Sequence, residues 1–310
     1  MTDRLKAAIG SYGHTAALKD RSIQPAGVEL DLVEVTPLNA AFRRMVRDLE
    51  FDVSEMAVTT YLVAKEHAKP FTALPIFPFR GFPHGAILVN DTAGVQRPAD
   101  LEGKKVGVRA YTVTTGVWAR GVLARQYGVN PDKVTWVVVD EEHVREYALP
   151  ANVEAAPAGA SLPDLLASGA IAAGIGLGRV DAPHVKPLLP DVAAAEREWL
   201  DRSGAYPINH TIVVKDELLA REPDLAQRLY DAFEAAKQRF MPRLDSGELT
   251  GEDAALARRR SLVGADPIPY GVEPNRRTLE TLIQIARDQH IVTRPLAVDE
   301  LFVPVAAARV

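Results

Sequence analysis

Short apolar runs alternate with segments of helical periodicity along the first part of the chain. A run of four to eight apolar residues bounded by polar ones is typical of a buried strand, whereas apolar positions three or four apart indicate an amphipathic helix. On this basis the first predicted elements are strands at 5–9, 28–35, 53–58 and 71–77, and helices at 38–49 and 59–67.

The same alternation returns further along the chain. The predicted elements there are strands at 105–108, 134–140, 170–175 and 211–214, and helices at 114–127, 162–168 and 223–240. Gly128 closes the helix at 114–127, since glycine readily takes the left-handed conformation of a helix end. Strands that alternate with helices predict an α/β fold with mixed, mostly parallel sheet flanked by helices.

A chain of 310 residues is long enough for two domains. Two β-rich stretches with polar neighbours, near 87–89 and 209–213, are predicted to be crossover strands. We therefore expect a discontinuous first lobe of residues 1–90 plus 210–310, and a second lobe of residues 91–209. Ligands of open α/β sheets bind at the carboxyl ends of the strands, so we expect a ligand cleft between the lobes.

Composition narrows the classes of function. The formal net charge is −5 and the basic residues form no stripe, which argues against nucleic-acid binding. The chain has no cysteine, which excludes disulfides, thiolate nucleophiles and cysteine-ligated metals. No apolar run approaches the roughly 20 residues that span a bilayer, and the first residues do not resemble a secretory signal. We expect a cytoplasmic protein without a membrane partner.

Three candidate catalytic side chains lie at predicted strands in the first lobe. Glu55 lies inside an apolar run, where a carboxylate is costly unless it is paired or functional. The alternative places Glu55 at an exposed strand end, paired with an arginine. His14 follows the first strand, and Asn209 and His210 lie at the second crossover, although a buried histidine satisfied by the backbone would look the same in sequence.

The loop at 77–85 is rich in proline, glycine and phenylalanine and carries Arg80 and His84. The planar guanidinium of Arg80 suits a carboxylate, and His84 can exchange a proton near neutral pH. The alternative is a surface ion pair for Arg80 and a bond from His84 to a loop carbonyl.

A predicted helix N-terminus follows the strand at 105–108 and carries Arg109, Tyr111, Thr114 and Thr115. Free backbone N–H groups and the helix dipole favour an anion there, and the absence of a Walker pattern favours a carboxylate over a nucleotide phosphate. Thr114 would serve as the helix cap in the alternative interpretation. Trp118 is expected to pack in the core, and the charged cluster at 141–143 to be solvated.

Six stretches carry a resemblance to a known family. They are Ser-Glu-Met at 54–56, Pro-Phe-Arg-Gly-Phe-Pro-His at 78–84, Ala-Ile-Leu-Val-Asn at 86–90, Asp-Leu-Glu-Gly-Lys-Lys-Val-Gly-Val at 100–108, Trp-Ala-Arg-Gly at 118–121 and Tyr-Pro-Ile-Asn-His-Thr at 206–211. In this ordered series the chain resembles the 4,5-dihydroxyphthalate decarboxylase family, whose fold is similar to that of the type II periplasmic binding proteins. Pro83 and the pair Arg109-Ala110 depart from the family pattern, which implies a changed pocket.

The resemblance implies a carboxy-lyase of aromatic compound degradation that releases CO₂ from a hydroxylated, phthalate-like acid, with 4,5-dihydroxyphthalate to protocatechuate as the first candidate. Arg80 and the helix end at Thr114 and Thr115 would hold carboxylates, a histidine among the three candidates would protonate the ring, and Glu55 or another histidine would take the phenolic proton.

No cofactor is required for this chemistry, because the phenolic oxygen supplies electron density. A divalent metal held by His and Glu side chains is the alternative, although no metal-binding spacing supports it. The resemblance makes a homo-oligomer plausible. The alternative functions are a non-catalytic solute-binding protein or ligand sensor, and an enzyme of pyrimidine or cofactor biosynthesis.

Overall fold

The computed structural model describes residues 3–246 and 248–306. Its strands are β1 (Asp3–Ala8), β2 (Val28–Leu32), β3 (Val53–Ala57), β4 (Phe71–Leu74), β5 (Ile87–Asn90), β6 (Lys105–Val108), β7 (Thr135–Val138), β8 (Val153–Ala155), β9 (Ala173–Ile175), β10 (Val185–Pro187) and β11 (His210–Lys215). Its α-helices are α1 (Ala16–Lys19), α2 (Asn39–Asp48), α3 (Val58–Glu66), α4 (Thr114–Tyr127), α5 (Leu162–Ala167), α6 (Val192–Ser203), α7 (Asp216–Arg221), α8 (Leu225–Phe240), α9 (Gly251–Val263), α10 (Arg276–Asp288) and α11 (Val298–Leu301). The expected α/β class with helix-flanked mixed sheets is confirmed.

The first sheet has five strands in the order β2-β1-β3-β11-β4. β1 runs parallel to both β2 and β3, as expected for strands joined through a helix. β11 is inserted antiparallel between β3 and β4, although it comes more than 130 residues later in the chain. This insertion places His210 at the edge of the sheet where the loop after β1 begins.

The second sheet has six strands in the order β10-β5-β9-β6-β7-β8. β9, β6, β7 and β8 are parallel neighbours, whereas β5 runs antiparallel to β9 and to β10. The carboxyl ends of β6 and β7 lie at the same edge of this sheet, because neighbouring parallel strands point the same way.

The chain divides into two compact units. The first contains the residues up to 80, residues 208–280 and the residues from 296 onward, and the second contains 81–207 and 281–295. The chain passes between them four times, and the segments at the first two passages pair with each other: Asn209 N donates to Phe79 O (2.9 Å), and Gly81 N donates to Pro207 O (3.0 Å).

These units differ from the predicted lobes in two places. β5 pairs with the second sheet, so the first crossing comes before residue 87 rather than after residue 90. Residues 281–295, which the sequence assigned to the first lobe, belong to the second unit, because Ile285 packs against Gly121 on α4 and Gln289 bonds to Arg120.

The core of the first unit lies between its sheet and α8. Leu225, Leu229, Phe233 and Ala236 recur at helical spacing and are buried against β1, β3 and β11. In the second unit Trp118 is fully buried, which confirms its predicted place in the core. None of the helices in the described ranges is long and apolar enough to cross a membrane.

Gly121 of α4 lies directly against the side chain of Ile285 of α10. A Cβ at this position would lie 2.6–2.9 Å from three side-chain atoms of Ile285, which is closer than van der Waals packing allows. We expect Gly121→Ala to lower the free energy of unfolding by about 1–3 kcal/mol, because the inserted methyl overpacks the core. Thermal and urea denaturation measure the loss.

Gly85→Ala is the matched control. A Cβ there would meet Val192 at an ordinary 3.5 Å, so this variant should stay within about 0.5 kcal/mol of the wild type. Equal stabilities of Gly121→Ala and Gly85→Ala would contradict the assigned packing of α10 on α4.

Candidate active site

Glu55 is a fully buried carboxylate in the middle of β3, a strand whose five residues are all buried. Gly10 N donates to Glu55 Oε2 (2.8 Å), the Tyr12 hydroxyl donates to Oε1 (2.6 Å), and His210 Nδ1 lies 2.5 Å from Oε1. Burial alone would raise the pKa of this carboxyl, but the hydrogen bond and charge of His210 and the bonds from Tyr12 and Gly10 outweigh it and hold the pKa below its usual range. Glu55 is therefore ionised, and its predicted alternative at an exposed strand end is wrong.

His210 connects this buried carboxylate to the solvent-accessible side of the site. It is the first residue of β11 and pairs in register with Ala57 of β3, which places its ring beside Glu55. The His210 side chain is 18% exposed, whereas that of Glu55 is 0% exposed. A carboxylate bonded to Nδ1 fixes the orientation of an imidazole ring and leaves Nε2 as the nitrogen that is not engaged by that carboxylate.

Aromatic rings surround the His210 imidazole. The centroids of Phe42 and Phe79 each lie 5.0 Å from that of His210. The Phe79 ring also stacks near Tyr12, at 6.1 Å. The His210 ring is thus flanked by flat apolar surfaces of the kind that accommodate an aromatic ligand.

Tyr12 closes the inner side of the site. Burial and the neighbouring Glu55 carboxylate raise the pKa of the Tyr12 hydroxyl far above its usual range. The hydroxyl therefore stays protonated and donates a hydrogen bond to Glu55. Gly10 allows this arrangement, because a Cβ at residue 10 would lie 2.5–2.8 Å from atoms of the Tyr12 ring. Tyr12 was not among the predicted site residues. Its position directly after β1 was the signal that could have identified it.

His14 packs in the same cluster but does not exchange protons near neutral pH. Its ring stacks on Tyr12 with centroids 5.1 Å apart and meets Phe240 edge-on at 6.0 Å. Burial lowers the pKa of His14 to about 4, against smaller opposite effects of the Glu55 charge and a bond to the Pro78 backbone. His14 is therefore neutral at pH 7 and supports the Tyr12 ring.

The turn that follows β6 forms a second cluster of predicted residues, in the second unit. Arg109 Nη1 pairs with Asp140 Oδ2 at 2.8 Å, and the carboxylate of Glu142 accepts hydrogen bonds from Tyr111 N (2.5 Å) and Thr112 N (3.1 Å). The backbone of this turn therefore already binds a carboxylate. Glu142 is held in the turn, so the expectation that the whole 141–143 cluster is solvated was wrong.

Thr114 and Thr115 are the first two residues of α4. Val113 occupies the N-cap position and no side chain caps the helix, so the alternative in which Thr114 is the cap is wrong. Thr114 is buried and Thr115 is half-buried, and both lie at the positive end of the α4 dipole.

His84 lies away from the turn after β6. Its ring is buried in the second unit against Phe82 and Trp199, and Nε2 is 3.0 Å from Gln126 Oε1. Burial lowers the pKa of His84. Gln126 is twelve residues along α4 from Thr114, a rise of about 18 Å, so His84 lies at the opposite end of the helix from the predicted anion site. His84 is a core histidine in this structure, not a neighbour of the predicted carboxylate site.

Arg80 and Asn209 hold the backbone of the first unit. The Arg80 guanidinium is buried rather than at the surface and donates to Asn275 Oδ1 at 2.8 Å, and its expected role in binding a carboxylate stays a prediction. Asn209 O accepts from Val58 N (2.9 Å), which fixes the start of β11 beside α3 and so positions His210. Across residues 3–246 and 248–306 there is no group of three or more His, Asp or Glu side chains suited to a metal ion.

Comparisons with known proteins bear on the family and the fold. A protein-family model described as NMT1/THI5 like matches residues 24–243. The chain is 32% identical over 320 aligned positions to a 4,5-dihydroxyphthalate decarboxylase of Comamonas testosteroni, covering 97% of this chain and 96% of the relative. It is 32% identical over 208 positions to a protein of the same name from Pseudomonas putida, covering 63% of this chain and 80% of the relative.

A solved structure described as a periplasmic sulfonate-binding protein from Methylobacillus flagellatus superposes with a TM-score of 0.57 at 13% identity, covering 97% of this chain and 92% of that one. This likeness confirms the expected fold, similar to that of the type II periplasmic binding proteins.

The depressed pKa of His14 makes the stability of the protein depend on pH. The unfolded chain binds the imidazole proton near pH 6.5 and the folded chain only near pH 4, so stability falls as the pH drops through this window. We expect the wild type to lose about 2 kcal/mol more than His14→Gln between pH 7 and pH 4.5, at about 1.36 kcal/mol per pKa unit.

Urea denaturation at a series of pH values measures this difference. His67→Gln replaces an exposed histidine and should follow the wild-type curve. Parallel curves for the wild type and His14→Gln would show that the His14 imidazole takes up its proton normally in the folded protein.

Proposed function

The chain belongs to the NMT1/THI5-like and 4,5-dihydroxyphthalate decarboxylase family, and on that premise we propose that it is a carboxy-lyase of hydroxylated aromatic acids. The first substrate we propose is 4,5-dihydroxyphthalate, with protocatechuate and CO₂ as products. The observation that supports this proposal in the structure is the pair of a buried, ionised Glu55 and a partly exposed His210 between aromatic rings.

The reaction replaces a carboxylate on the ring by a proton. A phenolic oxygen para to that carboxylate pushes electron density into the ring as it loses its proton to the solvent, and the ring carbon that bears the carboxylate takes a proton from an acid. The carbon–carbon bond then breaks, its electron pair restores the aromatic ring and leaves the phenolic oxygen as a phenolate, CO₂ leaves, and the phenolate takes a proton back from water. Because the phenolic oxygen supplies the electrons, the proposed reaction needs no electron-sink cofactor.

His210 is the acid in this proposal. Its Nδ1 is held by Glu55, so the proposal assigns to Nε2 the proton that goes to the ring carbon. Tyr12 and Gly10 keep the Glu55 carboxylate ionised and fixed, so that it attracts the imidazolium without taking its proton. His210 recovers a proton from water after each turnover.

We further propose that the start of α4 in the second unit can bind a carboxylate. In the turn after β6 the backbone N–H groups of Tyr111 and Thr112 already donate to Glu142, so the proposal assigns the anion to Thr114 and Thr115 at the positive end of the α4 dipole. Arg109 contributes a partly exposed guanidinium that Asp140 orients. The departures from the family pattern at Arg109 and Ala110 lie in this turn and affect which acid is accepted.

Incubation of the protein with 4,5-dihydroxyphthalate in D₂O tests the reaction. We expect CO₂ and protocatechuate carrying one deuterium at the ring carbon that lost the carboxylate, measured by mass spectrometry and proton NMR. Binding of the acid without release of CO₂ would instead support a solute-binding protein on the same fold.

Variants of the proton-exchanging pair test the assignment of roles. We expect His210→Gln to lower kcat by about 10²–10⁴-fold, the usual contribution of a positioned acid. Circular dichroism and the thermal midpoint are measured alongside, because the change also alters a donor to the buried Glu55 carboxylate. His67→Gln serves as control at an exposed histidine and should retain wild-type kcat. Turnover by His210→Gln at the wild-type rate would remove His210 from the mechanism.

A further inference from the structure

A cavity of about 370 Å³ lies within the first unit. Its walls consist mainly of prolines, valines and the aromatic residues Tyr230, Tyr270 and Phe302. Among the described residues, those that line the cavity do not include Glu55, His210 or the rings beside them. Sites for small molecules are typically apolar concavities of about 300–1,000 Å³, so this cavity has the size and lining of a second ligand site.

Hydrogen bonds hold the walls of the cavity in place. Gly271 N donates to Pro75 O at 2.7 Å, and Val303 N donates to Ala73 O of β4 at 2.9 Å. The side-chain amide of Asn275 donates to Gly271 O at 2.9 Å. The two segments that form most of the wall are therefore fixed before a ligand arrives, which reduces the conformational freedom that is lost on binding.

The hydroxyl of Tyr230 lies in the wall of this cavity. Tyr230 is only 5% exposed, and a Cβ on Gly271 would lie 3.6 Å from its hydroxyl oxygen. Within residues 3–246 and 248–306 this hydroxyl has no hydrogen-bond partner, whereas that of Tyr270 lies 3.5 Å from His14 Nδ1. A buried hydroxyl without a partner costs free energy, and a ligand with an acceptor atom would remove that cost.

The Tyr230 hydroxyl is a donor at neutral pH. Burial and the carboxylate of Glu234 raise the pKa of Tyr230 to about 12, so the group keeps its proton. The hydroxyl therefore offers that proton to a carbonyl or ether oxygen of a ligand.

The charges at the mouth of the cavity disfavour an anion. Glu273 and Asp299 are among the lining residues, and both accept hydrogen bonds from the single guanidinium of Arg276, at 2.6 and 2.7 Å. Two carboxylates thus share one cation, which leaves this side of the cavity with a net negative charge. Because both carboxylates are already paired with Arg276, a cationic ligand would have to compete with a guanidinium for them.

The same balance of charge is found next to Tyr270. Lys237 lies 4.5 Å from the centroid of the Tyr270 ring, but its ammonium pairs with both Glu234 (2.9 Å) and Asp266 (3.0 Å). Here too, two carboxylates surround one cation. An acid such as phthalate would therefore be repelled from this cavity, and an uncharged ligand would not.

We propose that this cavity is a binding site for a small uncharged aromatic molecule that accepts a hydrogen bond from the Tyr230 hydroxyl. The rings of Tyr230, Tyr270 and Phe302 contact the aromatic body of the ligand, and the prolines and valines exclude water from it. The site is separate from the one proposed for the substrate, and its ligand differs from the substrate in carrying no carboxylate.

Titration calorimetry with acetophenone, an uncharged ring with one carbonyl acceptor, tests the proposal. We expect the wild type to bind it with a Kd on the order of 0.1–1 mM, as is usual for a ligand of this size. Tyr230→Phe should bind it about fivefold more weakly, which is the usual contribution of one hydrogen bond between uncharged groups. The thermal midpoint of this variant should not fall, because the deleted hydroxyl makes no hydrogen bond to the described part of the chain.

Two further variants complete the comparison. Tyr127→Phe is the matched control, since it removes the hydroxyl of a half-buried tyrosine in the second unit and should bind acetophenone as the wild type does. Val272→Phe should abolish binding, because Val272 lines the cavity and a phenyl group there occupies part of its volume. Thermal midpoints of all variants are measured to establish that they are folded.

Competition experiments separate this cavity from the proposed substrate site. Neither phthalate nor benzoate should displace acetophenone, because both are anions. Displacement by either acid would overturn the proposal, and so would the absence of saturable binding or equal affinities of the wild type, Tyr230→Phe and Val272→Phe. None of these measurements depends on the release of CO₂, so their outcome is independent of the proposed decarboxylation.

Discussion

The structure of the first unit depends on one buried negative charge. Glu55 occupies the centre of a strand where every neighbour is buried, and no water reaches it. Such a charge is tolerated only when several donors converge on it, and here they come from the loop after β1 and from the first residue of β11. The order of strands in the first sheet, with β11 antiparallel beside β3, is what brings these donors together.

Local patterns in the sequence were enough to predict most of the elements and part of the site. The apolar runs located β3, β6 and α4 to within one or two residues, because burial and periodicity are properties of short segments. Glu55 could be identified as a candidate for the same reason, because a charged residue inside an apolar run is recognisable without knowing which residues contact it in the fold. The resemblance then supplied the fold, which the comparisons confirm.

Pairings between distant segments could not be read from these patterns. His84 and His210 look alike in sequence, each in a loop beside aromatic residues, yet one is bonded to Gln126 in a core and the other to Glu55. The carboxylate of Glu142 faces the turn after β6 because β7 lies next to β6, and neither residue type nor spacing indicates this. The cleft predicted between the lobes, the absence of a metal requirement and the proposed oligomer remain predictions.

The return of residues 281–295 to the second unit has a consequence for the order in which the protein is made. Most of that unit is encoded before residue 208, but the side chain that packs on Gly121 and the amide that orients Arg120 come from the last tenth of the chain. Domains generally fold as they emerge from the ribosome, but the second unit cannot complete its core until residues 281–295 have been synthesised. Each unit therefore reaches its final internal packing only near the end of translation. A nascent chain that stops before residue 281 leaves the buried arginine of α4 without its partner.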